Sequence, residues 1–251
     1  FSKKRLKLLI PIYQEGTIDN DLLNEGVFDM KDYLSQQGYF DATVSVKVLG
    51  EGTPSERVVY TVDKHRKHKV KSVTIQGNRY FGTDLLKERM QVAKADAFLR
   101  NGRYSPALME ADVDSIQALY RANGFDKATV TTSIKDIDTS PSGKKLKVAE
   151  LAILVTIKEG PQQKFGEVSL SGVNSSRTKA VRALMNSQTG QPYSLITLSG
   201  DRDAMLTYYE SHGFDQARVS VTQQVESADP TKTDVTLKVT EGKQVFVDRV
   251  L

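Results

Sequence analysis

The sequence predicts an α+β protein of three tandem β-α-α-β-β modules, each with two helices packed on a three-stranded mixed sheet. Three similar segments support this fold, and they align without gaps on a glycine: YLSQQGYFDATVSVKV, LYRANGFDKATVTTSI and YYESHGFDQARVSVTQ. They share the pattern G-[YF]-x-x-A-x-V, and their glycines, Gly38, Gly124 and Gly213, recur at intervals of 86 and 89 residues. That period is typical of small domains and is longer than most solenoid repeats.

Each complete module is predicted to open with a short strand followed by a short helix. Apolar residues alternate in the two opening strands, at Val73/Ile75 and Val168/Leu170. Thr83 and Thr178 come next and are candidate N-caps, because their hydroxyls can accept hydrogen bonds from the first free amides of a helix. Residues 1–10 align with the short-helix segment 81–90, so the first module is predicted to lack its opening strand.

The second helix of each module is predicted from an N-cap at a fixed place in the repeat. Asp19, Ser105 and Ser194 each stand 19 residues before the shared glycine. All three residue types favour a helix start, because their side-chain oxygens can accept from free backbone amides. Three copies agree on the same position for this helix start.

The second helix is predicted to bury one face and to end at the shared glycine. In the first module Leu22, Met30 and Tyr33 are expected to form the buried stripe. The glycine is expected just after the helix C-cap, because it adopts the left-handed conformation without a Cβ penalty. The aromatic residue that follows is expected to pack back on the last turn; it is Tyr39, Phe125 or Phe214.

Two strands are predicted after each glycine, separated by the turn-rich loops GEGTPSE, DTSPSGKK and SADPTK. The first strand of each pair shows a period of two at Val44, Val46, Val48, Val130, Thr132, Ile134, Val219 and Val221. One face of these strands is expected to lie in the core. The closing strands carry Val58/Tyr60/Val62, Ile153/Val155/Ile157 and Val235/Leu237/Val239.

Composition indicates an ordinary globular chain and excludes several classes of protein. Of the 251 residues, 39% are hydrophobic and 26% are charged, and no apolar run approaches the roughly 20 residues of a membrane helix. The chain has no cysteine, which excludes disulfides and thiolate metal sites. Its net charge of +4 is smaller and less clustered than in most nucleic-acid-binding domains. Since no phosphate-binding loop or nucleophile elbow occurs, no enzyme activity and no cofactor are predicted.

The segment between the first two modules, DKHRKHKVK, contains His65 and His68 in a spacing that could bind zinc. Basic residues surround both rings, and no carboxylate ligand is expected there, so we predict a solvated basic linker and no metal site. Contact of this linker with anionic headgroups or with an acidic subunit is the alternative. Asp136 and Asp138 adjoin a loop of Ser, Pro and Gly residues and are also predicted to be solvated.

These motifs resemble the POTRA (polypeptide-transport-associated) repeat of BamA-like outer-membrane β-barrel assembly proteins. The resemblance covers essentially the whole chain and depends on the helix end Y-x-x-x-G-[YF], the strand with A-x-V, and last strands that end in Glu159-Gly160 and Glu241-Gly242. One junction departs from the pattern, because Lys64-His65 stands in place of Glu-Gly. No hinge angle is predicted for that junction.

The resemblance divides the chain into four parts. Residues 1–66 form a module that lacks its first strand, residues 67–160 and 161–242 form complete modules, and residues 243–251 form the opening strand of a following module. The last segment, from Val245 to Leu251, is further expected to pair with the incomplete first module of a neighbouring molecule. A module of about 80 residues buries only a little over 60% of its surface, so each module is expected to depend on its neighbours.

The resemblance also implies a function, a location and partners. It implies a periplasmic scaffold that receives unfolded outer-membrane proteins, docks accessory lipoproteins and is attached to the outer membrane by a C-terminal barrel. The strand after each shared glycine would be the edge that pairs with an incoming extended chain, and the groove toward the second helix would supply apolar contact. A passive structural spacer in a related membrane-anchored translocation or division protein is the alternative.

Overall fold

The computed structural model describes residues 7–245, and its elements occur in three groups that follow the predicted module order. The first group is α1 (Pro11–Glu15), α2 (Asn20–Gln36), β1 (Thr43–Leu49) and β2 (Arg57–Asp63). The second is β3 (His68–Gln76), α3 (Thr83–Glu88), α4 (Pro106–Ala122), β4 (Thr129–Thr139) and β5 (Lys145–Lys158). The third is β6 (Lys164–Ser171), α5 (Thr178–Arg182), α6 (Leu195–Ser211), β7 (Arg218–Val225) and β8 (Lys232–Thr240).

Each group contains its own sheet, and the closing strand lies in the middle wherever an opening strand is present. The strand orders are β1-β2, β3-β5-β4 and β6-β8-β7. The opening strands β3 and β6 run parallel to their closing strands, whereas β1 and β7 pair antiparallel with β2 and β8. The two three-stranded sheets are mixed, which confirms the predicted fold class, and the first group has the antiparallel pair β1-β2.

The predicted N-caps of the second helices are confirmed in all three groups. Asp19 accepts a hydrogen bond from the amide of Asp21 at 2.6 Å, Ser105 from Leu108 at 3.1 Å, and Ser194 from Thr197 at 3.3 Å. Each bond satisfies one of the amides that the first turn of a helix leaves free.

The predicted N-caps of the short helices are wrong. The N-caps are Gly82 and Arg177, one residue earlier than predicted, and neither makes a side-chain cap bond. The hydroxyls of the two threonines are used elsewhere, because Thr83 accepts from the side chain of Asn78 and Thr178 donates to the carbonyl of Asn174.

The shared glycines follow the second helices in the left-handed conformation. Their φ angles are +89° at Gly38, +84° at Gly124 and +83° at Gly213. The amide of the aromatic residue after each glycine donates a hydrogen bond to a carbonyl near the end of the helix. The amide of Phe214, for example, donates to the carbonyl of Tyr209 at 2.9 Å. The rings of Tyr209 and Phe214 meet edge to face at 5.6 Å, so the predicted packing on the last turn is confirmed there.

The buried stripe of α2 lies one residue away from the predicted one. Met30 is buried as expected, but Leu23 and Leu34 are the other apolar side chains in the stripe, and Leu22 and Tyr33 are only partly buried. The helix packs Met30 and Leu34 against Val44 of β1. In the third group nine buried apolar side chains form one core: Phe165, Val181, Leu198, Met205, Tyr209, Phe214, Val235, Leu237 and Val239.

Contacts divide the chain into two compact units that do not follow the three groups. One unit extends from the start of the described chain to Ser115 and includes Val130–Ile157. The other contains Ile116–Thr129 and the chain from Lys158 onward. Within residues 7–245 no helix is both long enough and apolar enough to cross a bilayer. The opening strand predicted for residues 243–251 lies mostly outside the described residues, and the described residues 243–245 are not in a strand.

Candidate functional site: open sheet edges and the joints between modules

The strand after each shared glycine forms an edge of its sheet. Among residues 7–245, β1 pairs only with β2, β4 only with β5, and β7 only with β8. All eight residues of the predicted edges lie in these strands: Val44, Val46, Val48, Val130, Thr132, Ile134, Val219 and Val221. Each strand therefore presents one row of backbone N–H and C=O groups that no described strand takes up.

β4 is the most exposed of the three edges. Val130 is buried, but residues 131–136 are exposed on both faces of the strand, and Ile134 keeps 41% of its surface accessible. The expected core face is therefore wrong for Thr132 and Ile134. A strand that is solvated on both faces and unpaired along one edge is an unusual risk for aggregation, which makes it a candidate for pairing with another chain.

A cleft of about 680 Å³ begins next to β1. It is lined by Phe28 and Asp32 of α2, by Phe40 and Asp41 just before β1, and by Leu108 near the start of α4. Phe28 is 70% exposed, so a large apolar ring faces solvent there. A concave apolar surface with a few charged groups is the usual form of a binding site.

The shared glycines also bind the linkers that follow their modules, a role that the sequence did not reveal. The carbonyl of Gly38 accepts from the amide of His68 at 2.8 Å, that of Gly124 from Gln163 at 2.6 Å, and that of Gly213 from Val245 at 2.7 Å. A Cβ at any of the three glycines would overlap the carbonyl oxygen of the same linker residue. We call this repeated main-chain contact the glycine joint.

The basic linker is solvated at Lys64 and His65, as predicted, but the prediction is wrong for His68, which is buried. His68 is buried and lies 3.3 Å from Asp136, and Arg66 lies 3.4 Å from Asp138. Lys64 and Lys67 both lie over the ring of Tyr39, at 5.5 and 5.9 Å from its centroid. The side chains of Asp136 and Asp138 are 52% and 49% exposed, in line with the sequence prediction, and they also contact His68 and Arg66 of the linker.

The loop between α3 and α4 ties the first group of elements to the second. Asn101 donates to the carbonyl of Gln36 at 3.1 Å, and Ser35 donates to the carbonyl of Tyr104 at 3.2 Å. The amide of Val70 in β3 donates to the carbonyl of Asn101 at 2.8 Å. The first joint therefore has side-chain support in addition to its glycine.

Glu241, from the Glu-Gly pair that closes the last strand, connects three parts of the third group. Its carboxylate accepts from the hydroxyl of Tyr209 at 2.8 Å, from the amide of Asn174 at 2.9 Å and from the guanidinium of Arg177 at 2.8 Å. Burial raises the pKa of Glu241, but the hydrogen bonds from Arg177, Asn174 and Tyr209 outweigh burial and hold the pKa below its usual 4.5. Burial is the largest cause that raises the pKa of Tyr209, and the hydrogen bond to the carboxylate of Glu241 raises it further.

The Glu-Gly motif thus has a structural reason, and so does the departure at the first junction. Glu159 accepts from the hydroxyl of Tyr120 at 2.8 Å, as Glu241 does from Tyr209. In the first module the position of the tyrosine is occupied by Leu34, which has no hydroxyl to donate, and that of the glutamate by Lys64. Both partners change together.

We expect Glu241→Gln to lower the free energy of unfolding by about 2 kcal/mol near pH 7, because two hydrogen bonds to a partly buried charge weaken and the Arg177 pair is lost. A carboxyl group whose folded-state pKa is lowered contributes stability above its unfolded pKa and loses it as pH falls. The difference between the wild-type chain and the variant should therefore shrink below pH 4.5. Urea unfolding between pH 7 and pH 3 measures it.

Glu210→Gln is the control for this prediction, because Glu210 is an exposed glutamate on α6. We expect that variant to follow the wild-type chain across the same pH range. A difference between wild type and Glu241→Gln that stays constant down to pH 3 would contradict the assignment.

Two buried aspartates, missed in the sequence, hold the loop before the second helix in the second and third groups of elements. Asp201 accepts from the amide of Asn186 at 2.7 Å and from the amide and hydroxyl of Ser187 at 2.9 and 2.5 Å. Asp112 accepts from two successive amides, those of Gln91 and Val92. Both stand 12 residues before the shared glycine, which is the signal that could have identified them; the first module has Gly26 there.

The remaining candidate residues, His65 and His212, make local contacts within the described structure. Within residues 7–245 no group of three or more His, Asp or Glu side chains is placed to hold a metal ion. His65 lies 3.8 Å from Asp63 and adopts the left-handed conformation with φ +49°, at the position that glycine fills in the other two modules. His212 binds the carbonyl of Tyr208 through Nδ1 at the end of α6.

Open-edged sheets and a repeated main-chain joint define a tandem-module scaffold. The POTRA family, described as surface antigen variable number repeat, matches residues 1–65, 68–160 and 163–242. The chain belongs to the POTRA family.

Two curated relatives are named as outer membrane protein assembly factors. The chain is 21% identical to the outer membrane protein assembly factor BamA of Neisseria meningitidis serogroup B over 233 residues, which cover 91% of the chain and 28% of that protein. It is 20% identical to a putative outer membrane protein assembly factor of Treponema pallidum, with 96% of the chain and 28% of that protein covered. The chain thus spans little more than a quarter of either relative's length.

Among solved structures, POTRA3–5 of Haemophilus influenzae BamA matches with a TM-score of 0.46 and 18% identity, covering 96% of this chain and 91% of that one. The N-terminal domain of Omp85 from Thermosynechococcus elongatus matches with a TM-score of 0.32 and 16% identity, covering 97% and 94%.

Proposed function

We propose that this chain is the periplasmic polypeptide-binding part of an outer-membrane β-barrel assembly factor. It receives unfolded barrel proteins by β-augmentation, in which an extended segment of the client adds a strand to an open sheet edge. Membership in the POTRA family and the names of the two relatives support the assembly role. Docking of accessory lipoproteins and attachment to a C-terminal barrel are further parts of the same proposal, and the chain has no catalytic role in it.

The open edge of β4 is the observation that carries this proposal. Its exposed residues 131–136 leave room for a new strand beside the backbone, and Ile134 offers an apolar contact at the same place. Hydrogen bonds to the backbone are nearly independent of the client's side chains, as a scaffold for many clients requires. The cleft beside β1, with the exposed ring of Phe28, supplies a second surface for apolar side chains.

We expect a peptide from an outer-membrane barrel strand to shift the amide signals of the edge strands and no others. The expected shifts lie within residues 42–48, 128–134 or 217–223, and binding should saturate only at about millimolar peptide, since few side-chain contacts are made. A scrambled polar peptide of the same length is the control. A spectrum that stays silent at about 1 mM peptide would instead favour the passive spacer.

Two proline variants of β4 show whether binding uses the backbone edge. Successive amides along a strand point to opposite sides, so one of Thr132→Pro and Ser133→Pro removes an amide that faces β5 and the other removes one that faces outward. We expect the variant that keeps a native spectrum to be the outward one and to lose peptide-induced shifts in residues 128–134. Retention of those shifts in a folded proline variant would exclude strand addition at β4.

A further inference from the structure

The imidazole of His68 is buried between two carboxylates that come from different modules. Only 5% of its side chain is exposed, and Nε2 lies 3.3 Å from Oδ2 of Asp136 in β4. Nδ1 lies 3.6 Å from Oδ2 of Asp41, which follows α2. Nδ1 is a buried polar atom without a hydrogen-bond partner among the described residues. The ring also stacks on Phe40, with centroids 6.5 Å apart and an interplanar angle of 18°.

This arrangement suits a protonated ring. A neutral imidazole donates from one nitrogen only, and its other nitrogen presents a lone pair. Between two carboxylates, which only accept, the neutral ring can satisfy one side and leaves a lone pair facing an anion on the other. The imidazolium ion donates from both nitrogens and makes two charge-assisted contacts. The ring therefore joins Asp41 and Asp136 fully only when it carries a proton.

We propose that His68 is a protonation-dependent clamp at the joint between the first two modules. Histidine as a residue type changes its charge near neutral pH, and the clamp is closed when the ring is protonated and loosened when the ring is neutral. The amide of the same residue makes the glycine joint with Gly38, so the ring and the joint move together. Phe40 and Asp41, which contact the ring, also line the cleft beside β1.

The other charged and titratable groups around the ring have partners of their own. Arg66 pairs with Asp138 at 3.4 Å, and Lys64 and Lys67 lie over Tyr39. Tyr104 lies against Phe40, and its pKa is raised by burial first and by the charge of Asp41 second. His68 is the basic group that contacts both Asp41 and Asp136, whose side chains are 58% and 52% exposed. The clamp does not depend on the proposed binding of polypeptide.

Hydrogen exchange of the His68 amide tests the proposal in the full chain. We expect its protection, corrected for the intrinsic pH dependence of exchange, to fall about tenfold between pH 5.5 and pH 8.5, because one hydrogen bond to a charged group is lost. The amide of Gln163 is the matched control, since it makes the same joint with Gly124 at 2.6 Å. Its corrected protection should stay constant. At pH 5.5 the ring of His68 should show two N–H resonances.

Three variants complete the test. His68→Gln and the double variant Asp41→Asn/Asp136→Asn should both abolish the pH dependence, and the double variant retains the ring if His68→Gln does not fold. His212→Gln should leave the dependence intact, because His212 lies at the end of α6 against Tyr208. Equal corrected protection at both pH values in the wild-type chain, or a dependence that survives in the double variant, overturns the clamp.

Discussion

Replacement of Gly124 by alanine is expected to destabilise the protein by about 3 kcal/mol or more. Left-handed backbone costs an L-residue about 1–2 kcal/mol, and here the new Cβ would also overlap the carbonyl oxygen of Gln163. The chain can remove that overlap only by moving the linker and breaking the 2.6 Å hydrogen bond to the glycine carbonyl. Urea unfolding measures the loss, and proteolysis within residues 160–164 reports the freed linker.

Gly190→Ala separates the two causes, because Gly190 has the same φ of +84° and a Cβ there would meet nothing within 4 Å. That variant should lose only the conformational part, about 1–2 kcal/mol, and its linker should resist proteolysis as the wild-type linker does. Equal losses in the two variants would mean that the glycine joint adds nothing to stability.

Replacement of Asp201 by alanine is expected to cost about 3–5 kcal/mol, because it leaves several buried donors without an acceptor. The carboxylate accepts hydrogen bonds from the amides of Asn186 and Ser187 and from the hydroxyl of Ser187, and Asp201 is fully buried. The loop before α6 should then open locally. The exchange rates of the two loop amides would report that opening separately from global unfolding.

Asp203→Ala is the control on the same helix. Asp203 is 61% exposed and pairs only with its neighbour Arg202 in the described contacts, and an exposed ion pair contributes at most about 1 kcal/mol. A loss in Asp201→Ala no larger than in this control would show that water replaces the carboxylate at the loop.

The sequence predicted the elements well wherever a pattern repeats. Three copies of the same N-cap and the same glycine fixed the second helices, and strict alternation fixed the strands. The predicted buried stripe of α2 was wrong by one residue at two positions, because apolar residues are adjacent at Leu22 and Leu23 and again at Tyr33 and Leu34. Helical periodicity alone accepts either set, and only the direction in which the helix lies on its sheet decides between them.

Contacts between distant segments could not be predicted from spacing. His68 contacts Asp136, which stands 68 positions later in the chain, and Asp41 from the preceding module. In sequence, the same aspartates are ordinary surface residues in or near loops. The role of the glycines in the joints could not be predicted for a similar reason. A glycine at the end of a helix is already explained by the left-handed conformation that ends the helix.

The glycine joint also bears on how such arrays can be recombined. It is made by main-chain atoms, and the linker residue at the three joints is His68, Gln163 or Val245. A histidine, a glutamine and a valine share no side-chain chemistry, so the main-chain contact itself can form with different side chains at the linker position. A module could accordingly be exchanged for another, or inserted between two others. The exchange must keep the shared glycine and a linker long enough for its amide to reach the glycine carbonyl. The surfaces of the modules can therefore diverge in sequence while the main-chain contact between successive modules stays the same.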